Sequence, residues 1–600
     1  MDTVSGIYPA YASLKDGQIR LLRLNPTADS SSPVRCNFIV VSMANKPCYE
    51  ALSYVWGETS HPKTIRMEDV VVTVTNNLFL ALSNLRRQDK DRVLWVDALC
   101  INQEDINERS RQVSLMGSIY KEAQSVAVYL GQKWDGHDIA FDYLELAAEQ
   151  SDYHFSPSLT PRLEVRGNDA SSTIMRENLI RFFESQWFRR VWTVQEYVLA
   201  RRATFQYGST LIESQRVQDA FSNLRNHAAM DCCGRHASIL EECPVYGTNL
   251  FFALSRIDDL DSMRRYRNQN DVLETLSMYR QRGCSDPRDR VYGILGMDFR
   301  GYGSQIRPDY SIEVKELFVQ LAQEQIQQTQ SLDVLTHVLR GEDSVPGLPS
   351  YVPDWNISLT PITLFRCKGR ALMLMYYNAS AGVAAEFKLT LASQATSKGI
   401  IVDEIKTVGM ITSFSKIEDA ARTKAIVDEA RSLSGLPSRL PVSFQEANAE
   451  EIAFWQTLCG NLSTHMHNGV GVYEFADPPV DYERYLRWSR LVESHASHEL
   501  DLPTADVEVF GNTLLPNIAA RRFMRTRTGL MGFVPAESLP GDPVVVLAGG
   551  KVPYVLRKQP NTDNSNSDVA YSFLGDAYVT GLMNGEAIQK GPIWTSLNLV

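Results

Sequence analysis

Between residues 36 and 149, short apolar runs of strand length alternate with amphipathic helical stretches, and this alternation constrains the fold more than any other feature of the chain. Residues 36–43, 49–56, 92–98 and 125–130 read as strands, and 77–87 and 138–149 as helices. Asn107 stands where a cap is needed for a further helix, whose Val113, Met116, Ile119, Tyr120 and Ala123 share one face. The run at 92–98 is largely apolar, as in strands buried on both faces. A β-α-β-α order predicts a parallel sheet with helices on its faces, an α/β fold.

The rest of the chain changes character several times. Residues 1–34 look loose and end in a Ser/Pro-rich stretch, so the compact fold is expected to begin near Cys36. Residues 152–172 lack periodicity and read as a loop. Helices are expected at 174–186 and 191–201, and 215–328 reads as mainly helical around a loop at 231–247. Residues 351–412 turn β-rich, 417–497 helical again, and 529–586 is a set of short β runs broken by Gly, Pro and Asn. The expected divisions are a loose segment (1–34), a parallel-sheet domain (35–200), a mainly helical region (201–345), a mixed α/β region (346–528) and a small C-terminal β subdomain (529–600).

Charge narrows the function. Lys and Arg number 60 against 71 Asp and Glu, a net −11, which argues against general binding to nucleic acid or anionic membrane. No run is long and apolar enough to span a bilayer, and the first twelve residues show no secretory signal. Nine cysteines, an odd number without a CxxC pair, point to reduced thiols in a cytoplasmic or nuclear protein. Cys232, Cys233, His236 and Cys243 are close in sequence but lack zinc-site spacing, and no metal is expected. Arg521, Arg522, Arg525 and Arg527 form a short basic cluster, read first as a solvated face and second as a phosphate or acidic-partner site. Walker A, GxGxxG, GxSxG and HExxH motifs are absent.

Four segments stand out together: Tyr49-Glu-Ala-Leu-Ser-Tyr-Val-Trp-Gly57, Leu94-Trp-Val-Asp-Ala-Leu-Cys-Ile-Asn-Gln103, the stretch from Glu108 to Tyr120 running on to Val126-Ala-Val-Tyr-Leu-Gly131, and Arg189-Arg-Val-Trp-Thr-Val-Gln-Glu196. In this order they resemble the fungal heterokaryon-incompatibility (HET) domain, over residues 35–200. Ser285-Asp-Pro-Arg-Asp-Arg-Val-Tyr-Gly-Ile-Leu-Gly296 and Pro308-Asp-Tyr310 resemble the segments that follow HET domains, and Gly541-Asp542, Pro553–Arg557 and Gly575–Glu586 resemble the end of the same family. Departures are small: Val96 and Leu99 replace other aliphatics, and Tyr129 stands where Trp is frequent. The resemblance implies a protein of fungal non-self recognition and programmed cell death, with an incompatibility partner protein and self-association through the HET domain. HET domains are in turn similar to TIR domains, flavodoxin-like sheets of which some cleave NAD. This implies a TIR/flavodoxin-like parallel sheet, with NAD as substrate and no resident cofactor. Enzymatic TIR domains carry a catalytic glutamate four residues after a Trp at a helix start, the spacing of Trp192 and Glu196. The strand ending in Ser53-Tyr54 is similar to the first TIR strand.

Open parallel sheets bind ligands beyond the carboxyl ends of their strands. Two signature strands run straight into polar loops there, one delivering Trp56 and Gly57, the other Asp97 and Asn102. Trp56 offers a flat wall for a ring, Gly57 allows close backbone approach, and Asp97 and Asn102 suit ribose hydroxyls. Glu196 is the candidate for stabilising an oxocarbenium-like state at the ribose, with Ser53, Tyr54 and Trp192 beside it. Each residue also has a plainer role. Trp56, Trp95 and Trp192 suit a core, Asp97 a turn cap, Asn102 and Gln103 buried backbone groups, and Glu196 a surface pair with Arg189 or Arg190.

Overall fold

The computed structural model describes the chain except residues 1–7, 9–12, 30, 153, 155–161, 166–167, 230–242, 244, 246–247, 267–270, 298, 300–304, 342–343, 358–368, 390–393, 413–419, 468–469, 496–504, 561–568, 590 and 592. It divides into two compact units, Met1–Glu313 and Val314–Val600.

The first unit opens with strands β1 (Gln18–Leu24), β2 (Arg35–Ser42) and β3 (Glu50–Tyr54), a hairpin of β4 (Lys63–Met67) and β5 (Val70–Val74), and helix α1 (Asn76–Leu85). It continues with β6 (Arg92–Trp95), α2 (Asp97–Cys100), α3 (Ile106–Glu122), β7 (Val126–Gly131) and α4 (His137–Glu149). After a small hairpin, β8 (Arg162–Val165) and β9 (Asn168–Ser171), come α5 (Ser172–Phe183), α6 (Trp192–Val198), β10 (Ala203–Tyr207), β11 (Thr210–Glu213) and α7 (Ser214–Ala229). Helices α8 (Leu250–Arg265), α9 (Val272–Tyr279) and α10 (Asp289–Tyr292) complete the unit.

One sheet runs β11-β10-β7-β3-β6-β1-β2-β4-β5. Strands β6, β3, β7 and β10 are parallel in that order, so β3, the first of these four in the chain, lies between the next two. The flanks are different: β1 is antiparallel to both β6 and β2, and β11 antiparallel to β10. The sheet is therefore mixed, not the parallel sheet that the β-α-β-α order predicts. β3 and β6 are interior strands, as expected.

The departure originates in the segment expected to be loose. β1 reads Gln-Ile-Arg-Leu-Leu-Arg-Leu, and its two arginines disguise a core strand. Ile19, Leu21, Leu22 and Leu24 are buried, and Arg20 is buried with them because Glu108 on α3 accepts both ends of its guanidinium fork, Nη2 to Oε2 at 3.0 Å. Tyr8 lies beneath that guanidinium and donates to the carbonyls of Leu99 and Ile101. The cap of α3 is Asp105, not Asn107: its carboxylate accepts the N–H groups of Asn107 and Glu108, both at 3.0 Å. The expected apolar face of α3 is buried throughout. Part of the expected loop at 152–172 forms the β8–β9 hairpin.

The second unit contains α11 (Val314–Thr329), β12 (Phe387–Leu389), β13 (Ala395–Ile411), α12 (Ala420–Leu433), α13 (Ala449–Cys459), a hairpin of β14 (Leu462–His467) and β15 (Val470–Phe475), α14 (Pro478–His495) and α15 (Ala505–Ile518). Then follow β16 (Arg521–Thr526), β17 (Met531–Pro535), β18 (Pro543–Leu547), β19 (Tyr554–Lys558), β20 (Ala570–Asp576), β21 (Tyr578–Val579), α16 (Glu586–Gln589) and β22 (Thr595–Leu599). The 17-residue β13 pairs in turn with β22, β18 and β16, and the path β13-β18-β19-β20-β22 returns to β13, closing a barrel. Every side chain of β18 is buried. The C-terminal β region thus recruits a strand from 395–411. The expected helical stretch 417–497 contains the β14–β15 hairpin. Three of the four clustered arginines are structural: Arg521 pairs with buried Asp576 at 2.5 Å, and Arg522 and Arg525 donate to carbonyls of Gly409 and Ser434; Arg527 is exposed, as a solvated face requires, and pairs with Glu404.

Trp95 is fully buried at the end of β6, edge-on to Tyr120 with ring centroids 5.5 Å apart. Trp95→Ala is expected to cost ~3–5 kcal/mol, read as a lower denaturation midpoint of the first unit's transition. An unchanged midpoint would contradict this packing.

Candidate active site

The site is built where β3 ends. Ser53 is fully buried between β6 and β7, opposite Val128 in the parallel register. A 3-10 turn, Gln186–Arg189, then carries Trp187 over the sheet, and α6 brings Glu196 down onto it. The Trp187 indole N–H donates to the Ser53 hydroxyl at 2.7 Å, and that hydroxyl donates to the Glu196 carboxylate. The relay runs one way because indole can only donate. Glu196 is 3% exposed. Burial pushes its carboxyl up to about 7; Arg190 opposes this, Asp97 reinforces it, and the Ser53 hydroxyl opposes it. The alternative of a surface pair with an arginine does not hold: Arg189 pairs with Glu184, and Arg190 donates to the Tyr54 carbonyl at 2.6 Å.

Beside this relay, half-buried Asp97 accepts the indole N–H of Trp56 at 2.6 Å and the N–H of Ala98 at 2.8 Å. The bond to Ala98 lies within the α2 turn, whose cap position is Val96, so Asp97 is not the cap. Burial raises its carboxyl, and Arg190 opposes that rise. Arg190 therefore acts on both carboxylates. Trp56 is 38% exposed, so its ring is available as a wall. The Tyr54 hydroxyl is buried and has no hydrogen-bond partner among the described residues. Gly57 holds φ +77°, and an added Cβ would lie 3.0 Å from the Cβ of Asn77, whose amide donates to the Val55 carbonyl. Glycine is needed there to turn the loop against α1.

Ser53, Tyr54, Trp56, Asp97 and Glu196 are thus linked by hydrogen bonds or through Arg190. Asn102 lies in a different cluster: its N–H donates to Glu108 at 2.8 Å, and its side chain accepts the N–H of Glu104. Trp192 points to Asp289, which it hydrogen-bonds. Sequence reasoning missed Trp187, whose signal is the aromatic pair in Ser185-Gln-Trp-Phe-Arg-Arg190 just before the helix. Of the four residues of the cysteine–histidine cluster only Cys243 is described; Cys232, Cys233 and His236 lie outside the described residues. Among the described residues no group of His, Cys, Asp and Glu has the arrangement of a metal site.

Residues 49–196 match the family model of the heterokaryon incompatibility protein (HET), and residues 481–591 that of the Het-6 beta-barrel domain. Both segments are similar to parts of heterokaryon-incompatibility proteins. Heterokaryon incompatibility protein 6, OR allele, from Neurospora crassa is 28% identical to it, across 95% of this chain and 94% of that one. No solved structure matches. The HET match ends on Glu196 itself, whereas the compact unit that contains it runs on to Glu313. No helix among the described residues is long and apolar enough to cross a membrane.

The carboxyl of Glu196 makes stability pH-dependent with a definite sign. Its value is raised from 4.5 to about 7 in the folded chain, so its contribution is most favourable below pH 4.5 and is lost as pH rises through 7. Glu196→Gln is always neutral and escapes this loss. Relative to wild type, it is expected to gain ~1–3 kcal/mol between pH 4.5 and pH 8, measured by denaturant unfolding at both values. A constant difference across that range would show that Glu196 is well solvated.

Proposed function

We propose that this protein acts in heterokaryon incompatibility, as a non-self-recognition factor that triggers cell death, and that its HET unit, once clustered, hydrolyses the nicotinamide–ribose bond of NAD. The observation that carries the chemistry is Glu196, a nearly water-free carboxylate held by one hydroxyl at the end of the central parallel strand. The relative's name supports the incompatibility role. The β6-β3-β7-β10 order supports a TIR-like core, since β3 and its neighbours form the switch point where such sheets take ligands.

In this reading Trp56 stacks on the nicotinamide ring and Asp97 accepts from ribose hydroxyls. The bond from C1′ to the pyridine nitrogen breaks, and its electron pair leaves with nicotinamide. Ionised Glu196 stabilises the cationic sugar, and water adds to C1′, losing its proton to Glu196 and then to solvent. ADP-ribose, nicotinamide and one proton result. Because the ionised form does the work, the rate rises with pH through about 7. A second reading, a non-enzymatic scaffold working through protein–protein contacts, draws support from the closure of the site, since Ser53 is fully buried. Clustering reconciles closure with chemistry: a neighbouring protomer that fixes the loops after β3 and β6 would open and complete the site.

The test uses the full-length chain fused to an oligomerising tag, expressed in fungal cells. Wild type is expected to arrest growth and lower cellular NAD. Glu196→Gln is expected to reduce NAD turnover by roughly 10²–10⁴-fold while folding and self-association persist. Killing by both proteins at constant NAD would replace the enzyme with the scaffold. NAD loss in both would keep the reaction and remove Glu196 from it.

A further inference from the structure

The motif over residues 285–296, followed by Pro308-Asp-Tyr310, has no part in the reaction above. In the first unit it and the adjoining Arg282-Gly283 grip residues 189–195 along their length. The Val191 N–H donates to the Gly283 carbonyl at 3.1 Å, and the Gly283 N–H donates to the Arg189 carbonyl. Arg282 reaches the Thr193 hydroxyl at 3.2 Å. Gly293 makes room for Val191: an added Cβ would stand 3.3 Å from its Cγ1. Gly296 does the same for Gln195, whose Oε1 would be 2.5 Å from an added Cβ. Asp289, 7% exposed, accepts the Tyr310 hydroxyl at 2.8 Å and is hydrogen-bonded by Trp192. The Arg109 guanidinium of α3 covers the Tyr310 ring, 3.7 Å from its centroid.

We propose that residues 282–296 are a cradle that sets the register of the Glu196 helix, with Asp289 as its positioning residue; this rests on the reading of Glu196 as the reacting carboxylate. The physical need is clear. α6 has 7 residues and no side-chain cap at its start, too short to hold an orientation unaided. Trp192 and Glu196 are one turn apart on the same face. Any rotation at Trp192 therefore carries Glu196 off the Ser53 hydroxyl. Asp289 holds Trp192, and the contacts at Val191 and Gln195 hold the helix before and after it in the chain.

Trp192→Phe removes one N–H, and Asp289→Asn sets an amide N–H against a donor. Both are made in the clustered full-length chain and assayed for NAD hydrolysis across pH, with unfolding midpoints measured alongside. The expected result is a fall in kcat of roughly 10- to 100-fold at little-changed KM. The acidic limb of the kcat/KM profile, which reports the free enzyme and is expected near 7 in wild type, should move down as Glu196 gains water. Arg190, Asp97, Tyr54 and Tyr120, the other ionisable groups acting on or near Glu196, are unaltered in these variants. Combining the two substitutions should cost little more than either alone. Folded variants with wild-type kcat and an unmoved limb overturn the proposal, as does a lower midpoint with unchanged kcat per folded molecule. If Trp192→Phe does not fold, Tyr310→Phe, which removes the other donor to Asp289, is held to the same outcomes. A wild-type protein that hydrolyses no NAD overturns the underlying reading; an active wild type with equally active variants overturns the cradle alone.

Discussion

A carboxylate removed from water must be met by donors, or its surroundings push it toward neutrality, and the first unit is organised around acids that differ in how fully they are met. Glu108 receives the forked guanidinium of Arg20 and the N–H of Asn102. Asp289 receives the Tyr310 hydroxyl and Trp192. Glu196 receives the Ser53 hydroxyl, while Arg190, whose charge acts on it, donates to the Tyr54 carbonyl. A fully matched buried acid fixes structure, because removing either partner leaves an unpaired charge. An undermatched one stays close to changing its charge, which is what proton transfer and cation stabilisation require. By that criterion Glu108, met by a guanidinium fork and an N–H, stands apart from Glu196 and Asp289, whose carboxyls burial raises despite their donors, although all three lie in motifs of the same apparent weight.

This division is also why some of the site was legible in the sequence and some was not. Strands β3, β6 and β7 were readable because their apolar runs are continuous, and the short, local spacing from Trp192 singled out Glu196 as a candidate. β1 was not readable: Arg20 interrupts its pattern, and the Glu108 that permits its burial lies 88 residues away. Asn102 looked like a ligand donor for the same reason that it serves as a structural one, since a polar residue after a strand suits either use. Asp105 and Asn107 are both competent caps, and the choice between them depends on where the turn after α2 ends, which is a tertiary matter. β13 escaped notice as a single long strand because Lys398, Asp403, Glu404 and Lys406 interrupt its apolar pattern, and its pairing passes in turn to β22, β18 and β16.

The span of the family match and the span of the folding unit differ for physical reasons. β10 lies parallel to β7 on the side away from β3, so the strand that borders Ser53 is interior only because of residues after the match ends. Tyr197, next to Glu196, donates to buried Asp261 on α8, and Gln218 on α7 donates to the same carboxylate. Gly117 on α3 touches Gly296 so closely that a Cβ on either would meet the other's backbone within 2.8 Å. The helix carrying Glu196 is therefore held, through Tyr197 and Gln195, by α8 and the segment at Gly296, which a signature-based boundary near residue 200 excludes. A site whose reacting group gains its unusual charge from burial cannot be separated from the walls that bury it. The chemistry proposed for Glu196 belongs to the whole unit Met1–Glu313 rather than to the signature segments alone.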